Sequence, residues 1–226
     1  MMKKALLFSV FICLGTGLLS CNNPASDPNN ESSEVHESMA AAGDTVNQHT
    51  TGFTTAMHQM MNDMRQLPMT GNVDKDFALM MRSHHQGAVD MSQFEISNGK
   101  DDSLKELAVE ISEEQKREIK KLEVLIAALD KAKKNYDPKK KEEGFAKVMN
   151  DSMHMMGEMA KMDTNMATDH QFVAMMIPHH QSAVYMAEGF LKHGKNDQLL
   201  QMAMKMIASQ KKEIDAFESW MDKHKE

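Results

Sequence analysis

Residues 80–91 read MMRSHHQGAVDM, and residues 175–186 repeat this stretch as MMIPHHQSAVYM. A shift of 95 residues aligns these two stretches and also the segments before and after them, without a gap. Self-similarity at a fixed offset indicates a duplicated structural unit. We therefore predict two tandem repeats, at about residues 53–134 and 137–226, that pack around an approximate twofold axis.

The composition favours helices over strands. Among the 226 residues there are only 5 prolines and 11 glycines, whereas 25 residues are methionine and only 5% are aromatic. Proline and glycine disfavour helices, while Ala, Met, Lys and Glu support them. Since 41% of the residues are apolar, the chain can bury a hydrophobic core, and methionine must fill much of that core.

Each repeat divides into three predicted helices. The first is short and rich in methionine, the second carries the HisHis pair, and the third is long and charged, with apolar residues three and four apart. The third helices are predicted at about residues 102–134 and 196–224. The fold class is therefore an all-α antiparallel helical bundle made of two tandem three-helix repeats.

Capping residues and prolines indicate where some helices begin or bend. Asn72 is the predicted N-cap of the first HisHis helix, and Thr168 is predicted to open the second one in a capping box. Asp137-Pro138 is predicted to open the second methionine-rich helix. Pro178 lies inside the second HisHis helix and is expected to kink or break it.

The first residues have the features of a lipoprotein signal peptide. A basic start is followed by an apolar run at residues 5–17 and by Leu-Leu-Ser-Cys at residues 18–21. The apolar run is too short to span a bilayer, so an export signal is the better interpretation. We predict that residues 1–20 are removed and that Cys21 is lipidated. The protein is then a lipoprotein of the cell envelope, held to the membrane by its lipid alone and facing the periplasm or the cell exterior.

The segment after the signal has a different character. Residues 21–52 are rich in Asn, Ser, Asp, Glu and Thr, which predicts a flexible tether.

Cysteine content and net charge exclude some functions of the mature domain. Cys13 lies in the signal, so the mature domain has no thiol for disulfides, catalysis or metal binding. The formal net charge of −7 disfavours nucleic acid as a partner, because phosphate binding needs a basic surface.

Helical geometry gives the two histidines of each pair different positions. At 100° per residue, His84 lies at the centre of the apolar face, with Met80 and Met91 on one side of it and Phe77 on the other. His85 lies at the margin of that face, near Met81, and the second repeat reproduces the pattern. A single core histidine is more often satisfied by one hydrogen bond, and core methionine is more often filler than ligand. Because the arrangement occurs twice, we favour metal binding.

Ligand softness indicates which metal would bind. Thioether sulfur with imidazole nitrogen suits copper, and Cu(I) most of all. Calcium and magnesium prefer oxygen, zinc usually has Cys or carboxylate ligands, and a di-iron bundle needs Glu-x-x-His motifs that this sequence lacks. The predicted metal ligands are His84, His85, His179, His180, Met80, Met81, Met91, Met175, Met176 and Met186, with His58 and His154 from the methionine-rich segments.

Gln115 and Gln210 occupy matching positions on the apolar faces of the long helices. A buried amide needs hydrogen-bond partners. Each glutamine could support a metal-bound histidine by a hydrogen bond to its other ring nitrogen, or it could bond a nearby backbone group. The sequence leaves both alternatives open.

The motif Met-Met-x-x-His-His-Gln-x-Ala-Val-x-Met in two copies resembles a known family. The resemblance includes Gln-x-x-Glu-Ile at residues 115–119 and 210–214, and Trp220. These features are similar to the family of the domain of unknown function three hundred and five, from about Phe53 to the end of the chain. The resemblance implies a ferritin-like helical bundle, an exported location and copper binding through Met and His.

The sequence thus predicts a protein that sequesters or transfers copper, in copper tolerance or homeostasis, with a copper donor or acceptor protein as a partner. No nucleophile paired with a base and no phosphate-binding loop is recognisable, so an enzyme is not expected. Two alternatives stay open. One is a metal-free bundle that is structural or binds a partner, and the other is a ferritin-like redox enzyme.

Overall fold

The computed structural model describes residues 52–159 and 165–225, which form six α-helices. These are α1 (Gly52–Gln66), α2 (Val73–Asn98), α3 (Asp102–Ala128), α4 (Gly144–Met159), α5 (Thr168–His193) and α6 (Asp197–Lys223). The predicted all-α fold of two three-helix repeats is confirmed. The predicted signal peptide, the lipidated Cys21 and the tether up to residue 51 lie outside the described residues. None of the described helices is long and apolar enough to cross a membrane.

The four long helices form two hairpins, α2 with α3 and α5 with α6, and the hairpins meet where α2 packs against α5. The short helices cover the outside, since α1 packs mainly on α2 and α4 on α5. Helices α2 and α5 therefore have neighbours on several sides. For that reason they bury polar side chains as well as apolar ones. Both HisHis pairs lie on these two central helices.

Two aspartates connect the repeats in a reciprocal way. At the start of α2, Asp74 Oδ1 accepts hydrogen bonds of 2.8 and 2.9 Å from two backbone N–H groups in the α5–α6 turn. At the start of α5, Asp169 Oδ1 accepts hydrogen bonds of 2.9 and 2.8 Å from two backbone N–H groups in the α2–α3 turn. Each central helix therefore begins beside the end of the other. Helices α2 and α5 are antiparallel around the predicted approximate twofold axis.

The predicted helix starts agree with the structure in part. Asn72 caps α2, because its side chain accepts a hydrogen bond from a backbone N–H of the first turn. The capping box predicted at Thr168 does not form. The N-cap of α5 is Ala167, and Gln171 donates instead to a preceding backbone carbonyl. Helix α5 continues through Pro178, which therefore does not break it.

The connection between the repeats differs from the prediction. Helix α3 ends at Ala128 and not near residue 134, because the chain turns back to the start of α2. There Asn72 Nδ2 donates a hydrogen bond of 2.8 Å to the carbonyl oxygen of Lys133. Asp137-Pro138 consequently lies in this connection and does not open α4, which begins at Gly144. The anchoring of this segment to α2 is a long-range contact that local sequence does not reveal.

Glu95 breaks the symmetry between the repeats. It is fully buried on α2, at the position that Phe190 has on α5. Phe190 stacks on Phe77 with ring centroids 3.9 Å apart, whereas Glu95 lies near the carboxylate of Asp169. Burial, and then the neighbouring Asp169, raises the pKa of Glu95 to about 8. Folding therefore keeps this carboxyl group protonated at neutral pH.

Replacing Glu95 by glutamine is expected to stabilise the fold increasingly as the pH rises from about 4.5 to about 8. Across this window the unfolded chain has lost the proton while the folded chain keeps it, so the stability of the wild type falls. Glutamine has no proton to lose, and we expect a gain of about 1–3 kcal/mol above pH 8. Urea denaturation at several pH values measures the difference.

The exposed Glu110 on α3 provides a control. The Glu110→Gln variant should show no comparable dependence on pH, because an exposed carboxyl group is solvated in both states. A gain from Glu95→Gln that stayed constant between pH 4.5 and pH 8 would contradict the assignment of a protonated Glu95 in the folded protein.

Candidate metal centre

The four histidines of the duplicated stretches lie together in the core. His84, His85, His179 and His180 each have 0% of their surface exposed. The rings of His84 on α2 and His179 on α5 face each other, with centroids 3.8 Å apart and planes tilted by 37°. The helical wheel places the second histidine of each pair at the margin of the apolar face. Packing of α3 and α6 against the central helices buries that position as well.

The central pair is uncharged. Burial, and then the charges that His85 and His180 would carry, hold the pKa of His84 well below its ordinary value. The pKa of His179 is likewise well below its ordinary value, owing to burial and then to His84. A neutral imidazole carries a proton on one ring nitrogen and a lone pair on the other. Each central ring is therefore in the protonation state that binds a metal ion.

Ser182 determines which nitrogen of His84 carries the lone pair. Its hydroxyl donates a hydrogen bond of 2.8 Å to the backbone carbonyl of His179, within α5. The same oxygen lies 2.8 Å from His84 Nε2 and can only accept there, because its single proton is already used. His84 Nε2 must then carry the proton. The lone pair of His84 is thus on Nδ1.

The outer histidines each contact a carboxylate. His85 Nε2 donates to Glu118 Oε2 on α3 at 2.8 Å. In the second repeat, His180 Nε2 lies 2.7 Å from Glu213 Oε2 on α6, at ion-pair distance but without the alignment of a hydrogen bond. A carboxylate behind an imidazole fixes the orientation of the ring and is the usual partner of a metal-bound histidine. Because Nε2 of His85 is the donor, Nδ1 of His85 carries the lone pair.

Met60 of α1 contacts the central pair. Its Sδ atom lies 3.3 Å from His179 Nε2. Met60 passes over Gly87 of α2, where an added Cβ atom would come within 2.5 Å of the sulfur. The second repeat has Ser182 at the position equivalent to Gly87. One ring of the pair is therefore contacted by a thioether and the other by a hydroxyl group.

All four Nδ1 atoms are buried, and none has a hydrogen-bond partner among the described residues. An unpaired buried polar atom costs about 1–3 kcal/mol. Native proteins satisfy nearly all such atoms, so four of them in one core require an explanation. A ligand that accepts a nitrogen lone pair would satisfy those of His84 and His85, whose protons are on Nε2.

Methionine supplies the rest of the candidate ligand set. The methionines of the duplicated stretches all lie in the buried core, and they are Met80, Met81, Met91, Met175, Met176 and Met186. Within residues 52–159 and 165–225, no group of three or more His, Cys, Asp and Glu side chains is arranged to hold a metal ion. A metal ion bound in this core would therefore need sulfur ligands in addition to imidazole.

Four other predicted site residues are exposed or make no described hydrogen bond to this cluster. His58 and His154 are exposed on α1 and α4, and His154 lies 4.0 Å from Glu158. Gln115 and Gln210 are buried, but within the described part of the chain their Oε1 atoms have no partner, and no hydrogen bond joins either side chain to a histidine. Glu118 and Glu213, about one turn further along α3 and α6, instead contact the outer histidines, as was proposed for these amides.

The site residues predicted from the sequence do not include Glu118, Glu213, Met60 or Ser182. A signal for the glutamates exists, since both occupy the Glu position of the repeated Gln-x-x-Glu-Ile motif. Met60 and Ser182 have no such signal. Both contacts depend on one difference between the repeats, since the first repeat has Gly87 where the second has Ser182. Met60 passes over this glycine to reach His179, and this contact requires that α1 packs on α2.

Comparisons with solved structures find similarity to CopM. The structure described as CopM in the apo form is 26% identical in sequence and has a TM-score of 0.51, over 68% of this chain and 98% of CopM. The Cu(I)-bound and Cu(II)-bound forms are each 27% identical with a TM-score of 0.50, over 66% of this chain and 96% of CopM. A comparison with curated protein sequences finds no significant match.

The family model described as domain of unknown function (DUF305) matches the chain twice, over residues 25–126 and 74–221. The two matches overlap and together contain both HisHis stretches and most of all six helices. The resemblance read from the repeated motif is thereby confirmed. This chain belongs to the DUF305 family.

Proposed function

We propose that this protein binds copper, with Cu(I) preferred, in the core between α2 and α5, and that it sequesters or transfers the metal. The observation that carries the proposal is the set of four buried imidazoles whose Nδ1 atoms have no partner among the described residues, in a core that is rich in thioethers. The similarity to CopM, which has been solved with Cu(I) and Cu(II), supports copper as the cargo.

The donor set fits a soft ion. Imidazole nitrogen and thioether sulfur are both acceptable to Cu(I), whereas oxygen-seeking ions would find few ligands in this core. His84 and His179 are the proposed nitrogen ligands, because both rings are buried at the centre of the bundle, their centroids are 3.8 Å apart, and the Nδ1 atom of each has no partner among the described residues. Met60 is a thioether in contact with this pair, but its sulfur lies beside His179 Nε2, the ring nitrogen opposite the unpaired Nδ1. The methionines of the duplicated stretches would complete the coordination.

The proposal is one of binding and not of catalysis. Cu(I) has a strong preference for soft ligands, so a sulfur-rich site stabilises this oxidation state and disfavours redox cycling. We propose further that the protein works outside the cytoplasm as a lipid-anchored lipoprotein. This part rests on the basic start, the short apolar run and Cys21 in the sequence.

X-ray absorption spectroscopy of the purified protein loaded with Cu(I) tests the proposal. We expect a first shell of sulfur and nitrogen, and a competition titration against a chromogenic chelator should show tight binding. An oxygen-dominated shell would contradict the assignment and favour a redox site. Absence of bound metal would favour the metal-free bundle, in which methionine is only core filler.

A further inference from the structure

An open cleft of about 340 Å³ lies where the end of α1, the connection before α4 and α4 itself meet. Five of the residues lining it are methionines: Met64, Met69, Met80, Met149 and Met153. Met69 and Met153 are partly exposed at its mouth, whereas Met64 and Met80 are buried at its inner side. The cleft therefore carries thioether sulfur from the solvent into the core.

Two of these methionines lie on helices that also carry a residue of the histidine pair or a residue in contact with it. Met80 precedes His84 by four residues on α2, so the two side chains are neighbours on one helix face. Met64 follows Met60 by four residues on α1, and Met60 Sδ lies 3.3 Å from His179 Nε2. The inner wall of the cleft is thus one helical turn from His84 on α2, and one helical turn from Met60, which contacts His179, on α1.

We propose that this cleft is the route by which Cu(I) reaches the buried histidines. The inference rests on the proposed copper binding and adds the path and the residues that form it. Met69 and Met153 capture the ion at the surface, and Met64 and Met80 pass it inward to Met60 and His84. Each transfer forms one Cu–S or Cu–N bond as another breaks, without any change of oxidation state and without a proton.

The charge at the mouth of the cleft indicates the form in which copper arrives. Arg65 and Lys141 line the cleft beside the methionines and are exposed. Their positive charge disfavours an unaccompanied cation. A Cu(I) complex with an anionic donor would be attracted to the same place. The copper source is therefore expected to be an anionic complex or an acidic protein surface.

The test compares rates of copper uptake by the full chain, purified in detergent, from the anionic Cu(I) complex of bicinchoninate. The Met69→Leu and Met153→Leu double variant keeps the apolar volume of the mouth but removes its sulfur. We expect uptake to slow by at least about tenfold, as when capture limits association, while the final affinity stays unchanged. The matched control is Met155→Leu with Met204→Leu, which removes two exposed methionines outside the cleft.

The outcomes separate the route from the proposed function. If the wild type binds Cu(I) tightly and the Met69/Met153 variant takes it up at the wild-type rate, the cleft is not the route. Equal slowing in the Met155/Met204 control would also overturn it. If the wild type binds no Cu(I), the proposed function fails and the route fails with it.

A second measurement does not depend on the buried site. Ag(I), another soft monovalent ion, is titrated into protein with ¹³C-labelled methionine methyl groups, in which His84 and His179 are replaced by leucine. We expect the methyl signals of Met69 and Met153 to shift first. Shifts confined to methionines outside the cleft would overturn the route, whatever the affinity of the wild type.

Discussion

Replacing His84 and His179 together by leucine should abolish tight copper binding and leave the apoprotein at least as stable as the wild type. The substitution removes the two facing imidazoles but keeps the core filled with apolar volume. It also removes two buried Nδ1 atoms that have no hydrogen-bond partner, which relieves the cost of burying them. A variant that loses copper binding but keeps the stability of the apoprotein would show that the two histidines serve binding and not folding.

The copper affinity is expected to fall by at least about 100-fold, since loss of outer partners alone usually costs 10–100-fold. Competition with a Cu(I) chelator measures the affinity, and thermal unfolding of the apoprotein measures the stability. The His58→Ala and His154→Ala double variant is the control, because it removes two exposed imidazoles. Unchanged copper stoichiometry and affinity in the His84/His179 variant would refute the assignment of the site.

Alanine at Asp74 or at Asp169 should destabilise the fold strongly. Each aspartate accepts two backbone hydrogen bonds from the turn of the other repeat, so its loss leaves two donors without a protein partner. Burial raises the pKa of Asp169, but the N–H groups of Asp101 and Lys100 outweigh this effect and the pKa lies below its ordinary value. We expect a loss of about 2–3 kcal/mol for each substitution.

Thermal unfolding and urea denaturation measure this loss, which corresponds to about 4–12 °C in Tm for a domain of this size. Asparagine is the matched control at both positions, because its side-chain oxygen still accepts hydrogen bonds and only the charge is lost. The Asp→Asn variants should therefore lose less than half as much. Equal loss for Ala and Asn would mean that charge, and not hydrogen bonding, holds the repeats together.

These two predictions concern the same arrangement of helices. The reciprocal aspartates fix the ends of α2 and α5 against each other, and the facing histidines lie near the middle of the same helices. Variants that weaken the aspartate contacts should therefore loosen the geometry of the histidine pair. A strongly destabilised Asp74→Ala or Asp169→Ala protein is expected to bind copper less tightly without any change in its ligands.

Much of the fold was predictable because the information is local and repeated. Apolar spacing along the long segments follows from helical geometry, and Asn72 caps α2 by a contact three residues away. The predictions that differ from the structure involve long-range contacts. The end of α3 depends on an anchor at Asn72, and the start of α5 depends on Gln171 reaching a carbonyl instead of closing a capping box.

The sequence by itself determined the duplication, the helices and the soft character of the candidate ligands, since residue type and periodicity are properties of the chain alone. Only the tertiary structure decided which groups meet. Glu118 and Glu213 reach the outer histidines, and Met60 reaches His179 over Gly87. Such contacts depend on how helices from different parts of the chain pack, and on single-residue differences between the repeats. Packing therefore turns two similar motifs into one asymmetric cluster.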